Sequence, residues 1–80
     1  MAEDPGRYLK RAMAEKGLTQ QEVSRALGVE RSLISQWCTG VRPIPPERAL
    51  ALEREFGLDA ERLNPKVKTL RELMGKTTKR

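Results

Sequence analysis

Apolar residues recur at helical spacing in several short stretches of the chain, and most of these stretches end at a glycine. The first begins after Asp4-Pro5 and ends at Gly17, and its apolar face consists of Leu9, Ala12 and Met13. An N-cap side chain followed by proline begins a helix, and glycine ends one because it takes a left-handed conformation at little steric cost. The pattern therefore predicts a first helix between these two signals.

Two short helical stretches follow, separated by only a few residues. Thr19 and Glu22 have the spacing of a capping box, so they begin a second helix, which stops at Gly28. A third helix starts with Glu30 at its cap position and ends before Gly40. Two short helices joined by such a tight turn form a helix-turn-helix unit. Its predicted core positions, including the turn glycine, are Val23, Leu27, Gly28, Val29, Ile34 and Trp37, and Ala26 is predicted to share the apolar face of the second helix.

The second half of the chain alternates proline-rich connections with further helical patterns. Residues 41–46 contain three prolines and predict an extended, stiffened loop. A fourth helix then runs from Pro46 or Glu47 to Gly57, and a short helical turn ends at Leu63. The predicted buried side of the fourth helix consists of Ala49, Leu50, Leu52 and Phe56. Asn64-Pro65 repeats the start signal of the first helix, and the stripe that follows consists of Val67, Leu70, Leu73 and Met74.

These elements predict an all-α fold, a compact bundle of four to five short helices around a central helix-turn-helix. We expect one helix-turn-helix domain over residues 1–64, an amphipathic C-terminal helix over 65–75, and a disordered basic tail over 76–80. The C-terminal helix has two interpretations. Its stripe can close the core of its own chain, which we favour for Val67 and Leu70, or pair with a second copy, which we favour for Leu73 and Met74.

The positive charge of the chain is concentrated at its C-terminal end. The 80 residues carry 16 Lys and Arg against 11 Asp and Glu, a net charge of +5. Residues 1–40 contain six basic and five acidic side chains, residues 41–64 four and five, and residues 65–80 six and one. The excess therefore lies in the last segment, and the first 64 residues are almost neutral. A function in the core must be argued from its motif and not from the overall charge.

The composition excludes several classes of site. The chain has no histidine and one cysteine, Cys38, so neither an internal disulfide nor a Cys/His zinc site can be assembled. No glycine-rich phosphate loop is present, and the thiol has no base to activate it, so we expect no enzyme activity, metal or cofactor. No apolar stretch approaches the roughly 18 residues of a membrane span, and no signal-peptide pattern is present. We expect a soluble cytoplasmic protein with a passive, partly buried thiol.

The helix-turn-helix region resembles a known family. The run from Leu18 to Val29, continued by Ser32, the segment 34–37 and Gly40, resembles the Cro/cI-type (XRE) helix-turn-helix family. Within it, Gln36-Trp37, the segments 40–45 and 47–48, and Leu63-Asn64-Pro65 are similar to the short Cro-like proteins of the YdaS group. The similarity covers about residues 5 to 66. It implies a lambda-repressor-like fold, a DNA-binding transcriptional regulator, and a bacterial or prophage origin.

The resemblance also implies roles for seven polar residues. Those carried over as base-edge contacts in the major groove are Arg31, Ser32, Ser35 and Gln36. Those carried over as phosphate contacts are Gln20, Thr39 and Arg42. The chemistry suits the base readers, because arginine chelates guanine O6 and N7 and glutamine chelates adenine N6 and N7.

Three residues depart from the family pattern. Ser24 stands where alanine is more usual, and its small size lets the two helices approach. Glu30 stands where a Ser or Thr N-cap is common; its carboxylate complements the helix dipole but repels nearby phosphates. Cys38 replaces a frequent glutamate. These departures affect the details of the DNA contact and leave the fold prediction unchanged.

Two functions from different classes follow from these patterns. The first is a sequence-specific repressor that binds a two-fold symmetric operator as a homodimer, since one recognition helix contacts too few base pairs to be selective. The alternative is an antitoxin-type interaction module whose segment 65–80 binds a partner protein while the motif binds DNA. The basic tail is either a solvated end or a flexible arm along the phosphates.

Overall fold

Six helices make up the part of the chain that the computed structural model describes, which is residues 3–78, with side chains described through residue 73. The all-α prediction is confirmed, and the four-residue α5 is a helix of its own beyond the four to five expected. The helices are α1 Pro5–Lys16, α2 Gln20–Leu27, α3 Arg31–Thr39, α4 Pro46–Phe56, α5 Ala60–Leu63 and α6 Lys66–Thr78. None of the helices in residues 3–78 is long and apolar enough to cross a membrane.

Local signals account for most helix starts. The Asp4 carboxylate accepts a hydrogen bond from the Arg7 amide at 2.9 Å, and the capping box between Thr19 and Glu22 is complete. The Asn64 side-chain oxygen accepts from the Lys66 amide at 2.9 Å and so caps α6. Each of these bonds satisfies an amide that the first turn of a helix leaves without a partner. The cap predictions at these three positions are confirmed.

One core connects all six helices. Its buried apolar residues are Tyr8, Leu9, Ala12, Met13, Val23, Leu27, Ile34, Trp37, Ile44, Ala49, Leu52, Leu58, Ala60, Leu63 and Val67. Ala26, predicted on the buried face of α2, is exposed. The reason is that, among the helices of residues 3–78, only α3 and α4 pack on α2, so one side of α2 stays open to solvent. Leu50 and Phe56 are partly buried against the core, as is Val29 in the turn.

Two buried residues anchor connections that carry no periodic pattern. Ile44, 2% exposed, lies inside the proline-rich loop, and its carbonyl accepts a hydrogen bond from the Asn64 side-chain amide at 2.7 Å. The Tyr8 hydroxyl accepts a hydrogen bond from the Asp59 amide at 2.8 Å, which ties α1 to the start of α5. Both bonds join segments far apart in the chain, so the loops on either side of α4 are held in place.

The C-terminal helix packs on the core through its first turns. Val67 is fully buried, Leu70 is partly buried and Leu73 is 55% exposed. The helix ends at Thr78, three residues beyond the predicted end at Gly75. The Met74 side chain lies outside the described residues, and so does the predicted disordered tail apart from the backbone of residues 76–78.

Candidate nucleic-acid interface

The helix α3 is held in place by its apolar side. Ile34 is fully buried and Trp37 is 1% exposed, and both belong to the core beneath the helix. The helix packs on α1 and α2. Because its buried residues lie at i and i+3, the polar residues between and before them face away from the core. This arrangement leaves one side of α3 free for a ligand and fixes its orientation.

The turn between α2 and α3 is closed by a small set of backbone bonds. Gly28 has a φ of +70°, and its amide donates to the Ser24 carbonyl at 2.8 Å. The Val29 amide donates to the same carbonyl at 3.1 Å, and the Ser24 hydroxyl donates in return to the Val29 carbonyl. Arg48 of α4 donates to the Leu27 carbonyl at 3.3 Å. Ser24 therefore does more than keep the helices close, because its hydroxyl bonds directly across the turn.

The four residues predicted to contact bases share one side of α3. Arg31 and Ser32 are exposed on its first turn, and Ser35 and Gln36 are partly buried one turn later. Spacings of three and four residues place them in one stripe along the helix. Gln20, the first residue of α2, is also exposed. The structure thus brings the four predicted base readers together on a face opposite Ile34.

The Glu30 side chain does not cap α3, although its position at the start of the helix predicts that it would. Glu30 is the N-cap of α3 by backbone conformation, but its side chain makes no capping hydrogen bond. Its carboxylate instead accepts from the Ser32 hydroxyl at 3.4 Å. A carboxylate beside the first turn disfavours a phosphate there and is compatible with a base edge.

The C-terminal end of α3 presents two more of the predicted contacts. The Thr39 hydroxyl donates to the Ser35 carbonyl at 3.1 Å, so its proton is engaged within the helix. The Gln36 carbonyl accepts from the Val41 and Arg42 amides at 2.9 and 3.2 Å, which closes the helix and begins the loop. Arg42 is exposed immediately beyond. The Arg42 side chain can contact an anion without breaking a hydrogen bond. A phosphate contact through the Thr39 hydroxyl proton requires that hydroxyl to rotate away from the Ser35 carbonyl.

Two residues of this face were missed in the sequence. Gln21 and Arg25 line a shallow depression of about 460 Å³ together with Ser24 and Arg31. The depression lies between α2 and α3, so it brings the Arg25 guanidinium to the same surface as that of Arg31. The sequence contained a pattern that indicates this, because Arg25 follows Gln21 by four residues and both therefore lie on one face of α2 before the turn.

Of the nine arginines in residues 3–73, four make ion pairs with carboxylates and five do not. Ion-paired arginines occur on α1, α4, α5 and α6, and they are Arg11 with Glu3 and Glu15, Arg54 with Glu55, Arg62 with Glu3, and Arg71 with Glu53 and Glu61. Hydrogen bonding to Arg11 holds the pKa of the Glu3 carboxyl below its ordinary value. Within residues 3–73, Arg25, Arg31 and Arg42 make no such pair. Three of the five arginines without an ion pair therefore lie on α2, on α3 and in the loop after α3.

Cys38 does not carry chemistry of its own. The thiol is partly buried, and burial raises the pKa of Cys38, although the nearby Lys10 charge acts weakly in the other direction. A raised pKa leaves the thiol protonated at neutral pH, so it is a poor nucleophile. Among residues 3–73 no three Cys, Asp or Glu side chains are grouped as metal ligands would be.

Comparison with known proteins agrees with this geometry. No curated protein matches the chain. Residues 9–63, well over half of the 80, match the model of a helix-turn-helix family. The match contains α2, the turn and α3 completely, and it extends from the second turn of α1 to the last residue of α5. The chain belongs to the Cro/C1-type helix-turn-helix family of DNA-binding regulators.

Proposed function

We propose that the protein is a sequence-specific repressor that binds a two-fold symmetric operator as a homodimer, with α3 of each protomer in the major groove. The observation that carries the proposal is the polar stripe of α3, which is backed by Ile34 and Trp37. Two arginines that make no ion pair within residues 3–73, Arg25 and Arg42, flank it. A helix of this width fits the major groove of B-DNA, about 12 Å across. Within the family we assign the chain to the small Cro-like regulators of YdaS or phage type.

The roles of the polar residues follow from their positions. Arg31, at the N-terminus of α3 beside the Glu30 carboxylate, suits a guanine edge, which offers two acceptors to a guanidinium. Gln36, one turn further, suits an adenine edge, and Ser32 and Ser35 fill the stripe between them. Gln20 at the start of α2 suits a phosphate.

Dimer binding follows from the size of the reading surface. Four side chains on nine residues of helix reach only a few base pairs, which does not select one site in a genome. Two protomers related by a two-fold axis read half-sites about 10 bp apart and multiply the discrimination. Occupation of such a site by the dimer blocks access of the polymerase.

Replacing Arg31 by alanine is expected to relax one base position in each half-site. Each bidentate contact contributes about 1–3 kcal/mol of discrimination, which is roughly 5- to 150-fold between the preferred base and the others. The measurement is selection of bound duplexes from a random library of about 30 bp at about 150 mM salt, for wild type and Arg31→Ala in parallel.

Arg54→Ala is the matched control, because Arg54 is an exposed arginine of α4 that, within residues 3–73, is ion-paired only with its neighbour Glu55. It removes the same charge and should leave the consensus unchanged. A symmetric consensus that loses one position only in Arg31→Ala supports both the operator and the role of Arg31. If no duplex is enriched from the library by the wild type, the proposed repressor function is wrong.

Removing residues 76–80 is expected to make DNA binding less sensitive to salt. The deletion takes away three positive charges, those of Lys76, Lys79 and Arg80. Each phosphate contact contributes about 0.9 to the slope of log K against log salt concentration, so the slope should become shallower by up to about 2.7 per chain. The consensus sequence should stay the same. An unchanged slope would show that the tail makes no contact with the phosphates.

A further inference from the structure

A second concave surface begins where the recognition helix ends. We name it the α1–α3 groove: it lies between the first turns of α1, the end of α3, the loop after α3 and the start of α6, and its volume is about 970 Å³. Its apolar lining comes from core residues, among them Trp37, Ile44 and Leu63. A ligand in this groove would therefore rest on the rigid centre of the molecule.

The rim of the groove is cationic. Arg7 and Lys10 from α1, Arg42 from the loop and Lys66 from α6 line it, and all four are exposed. Within residues 3–73 none of the four makes an ion pair with a carboxylate. The one acidic residue that lines the groove is Asp4, and its carboxylate is engaged as the cap of α1. The rim therefore has a net charge of +3 from four cations and one anion, and it suits an anionic ligand.

The walls of the groove are held by specific contacts. Asn64 donates to the Ile44 carbonyl and caps Lys66, which fixes the loop against the start of α6. On the other side, Gly6 lies so close to α3 that a Cβ there would be 2.5 Å from the Trp37 carbonyl oxygen. The four cations therefore lie on α1, the loop after α3 and α6, whose relative positions are fixed by these contacts.

The groove is continuous with the proposed DNA-binding face and extends beyond the family match. Thr39 and Arg42 line it at the end of α3, so a backbone strand passing that end meets the groove directly. Arg7 and Lys66 lie outside residues 9–63, the region that matches the family model. Two of the four rim cations thus lie outside the region that the family model describes.

We propose that the α1–α3 groove binds the phosphate backbone of duplex DNA flanking the half-site read by α3. The proposal rests on the proposed function for the position of the DNA, and it adds Arg7, Lys10 and Lys66 as phosphate contacts. Four cations on three separate elements suit a charge that repeats along a strand, as phosphodiesters do. Contacts of this kind raise affinity and set the register of the protein without adding sequence preference.

The test compares two double variants that lose the same charge. Arg7→Gln with Lys10→Gln removes two groove cations, and Arg11→Gln with Arg62→Gln removes two arginines that are ion-paired with Glu3. Binding is measured against salt concentration on a non-specific duplex of about 30 bp and on the selected operator. The groove variant should show a slope of log K against log salt shallower than wild type by about 1.8 per protomer, and affinity about tenfold weaker at physiological salt. The control variant should change the slope by much less.

Cys38 offers a second readout that depends on position and not on charge. It is partly buried and lines the same groove, so bound DNA should slow its alkylation by iodoacetamide. With duplex at saturation, we expect protection of Cys38 in wild type and in the control variant, and an unprotected Cys38 in the saturated wild-type complex would contradict the groove proposal.

The outcomes separate this proposal from the proposed function. A shallower slope in the groove variant with an unchanged consensus supports the groove as a backbone contact. The same slope change on the non-specific duplex without any consensus would leave the groove supported and the repressor function wrong. Equal slopes in the two variants would overturn the groove proposal. Binding of a polyglutamate peptide is measured on the same variants. If the groove variant loses peptide binding while its slope on DNA stays that of wild type, the groove proposal is overturned and the groove is a docking site for an acidic protein segment.

Discussion

Replacing Trp37 by alanine is expected to lower the free energy of unfolding by about 3–5 kcal/mol. The indole is 1% exposed and belongs to the core under α3, so its removal leaves a cavity that the packed helices cannot fill. A domain of 80 residues has a total stability of about 4–12 kcal/mol, so the substitution removes a large fraction of it. Urea denaturation followed by far-UV circular dichroism measures the change, since the variant has no tryptophan to report by fluorescence.

Gln36→Ala is the control, because Gln36 is the neighbour of Trp37 on α3 and lies on the polar stripe. We expect it to change stability by about 0.5 kcal/mol or less and to affect DNA binding instead. Trp37→Ala should lose its helical signal, and operator binding with it, at a lower urea concentration than wild type. A stability loss below about 1 kcal/mol in Trp37→Ala would mean that α3 is positioned by other contacts than its buried indole.

Replacing Gly6 by alanine is expected to destabilise the protein by about 1–3 kcal/mol, although the position is helical. Alanine normally stabilises a helix relative to glycine by about 0.5–1 kcal/mol. At Gly6 the added methyl group would lie 2.5 Å from the Trp37 carbonyl oxygen and 2.9 Å from that of Cys38. Both are backbone atoms, so α1 and α3 must move apart to accept it. Thermal unfolding of Gly6→Ala measures the effect.

Ala14→Gly exchanges the same two residues in the opposite direction at an exposed position of α1. It should destabilise by about 0.5–1 kcal/mol through helix propensity alone. If Gly6→Ala is instead more stable than wild type, the close approach of α1 to α3 does not constrain the fold, and the walls of the α1–α3 groove are less rigid than the contacts indicate.

The recognition unit could be predicted almost completely from the sequence. The capping box of Thr19 and Glu22, the left-handed Gly28 and the buried Ile34 and Trp37 all stand as the pattern indicated. Each signal operates within about four residues, so tertiary packing had little to change. Ala26 was predicted to be buried and is exposed. Apolar periodicity gives the direction of a side chain on its helix, but it does not show how much of that side another helix covers.

Other parts of the core carry no local signal. Ile44 stands among prolines with no periodic partner, and Tyr8 was not predicted to meet Asp59. Their burial and hydrogen bonds depend on segments that lie 20 and 51 residues away. The same is true of Gly6, since nothing in its neighbourhood indicates that a carbonyl of α3 lies against it.

The candidate DNA-binding surface divides in the same way. Its reading residues, from Arg31 to Gln36, follow from the helix-turn-helix pattern and its resemblance to a family. Arg25, which joins Arg31 in one depression, could have been found from its spacing to Gln21. The separation of paired from unpaired arginines could not, because it depends on which helices face each other.

The sequence by itself determined where the first four helices begin and end, the turn that joins α2 to α3, and the family to which that turn belongs. These depend on capping side chains, glycine conformations and apolar spacing, all of which are local. The tertiary structure decided which distant residues share the core, which arginines are neutralised, and that Arg7, Lys10, Arg42 and Lys66 line one groove. Those properties arise from the rotation and crossing of whole helices, since small changes in either move a side chain from one surface to another.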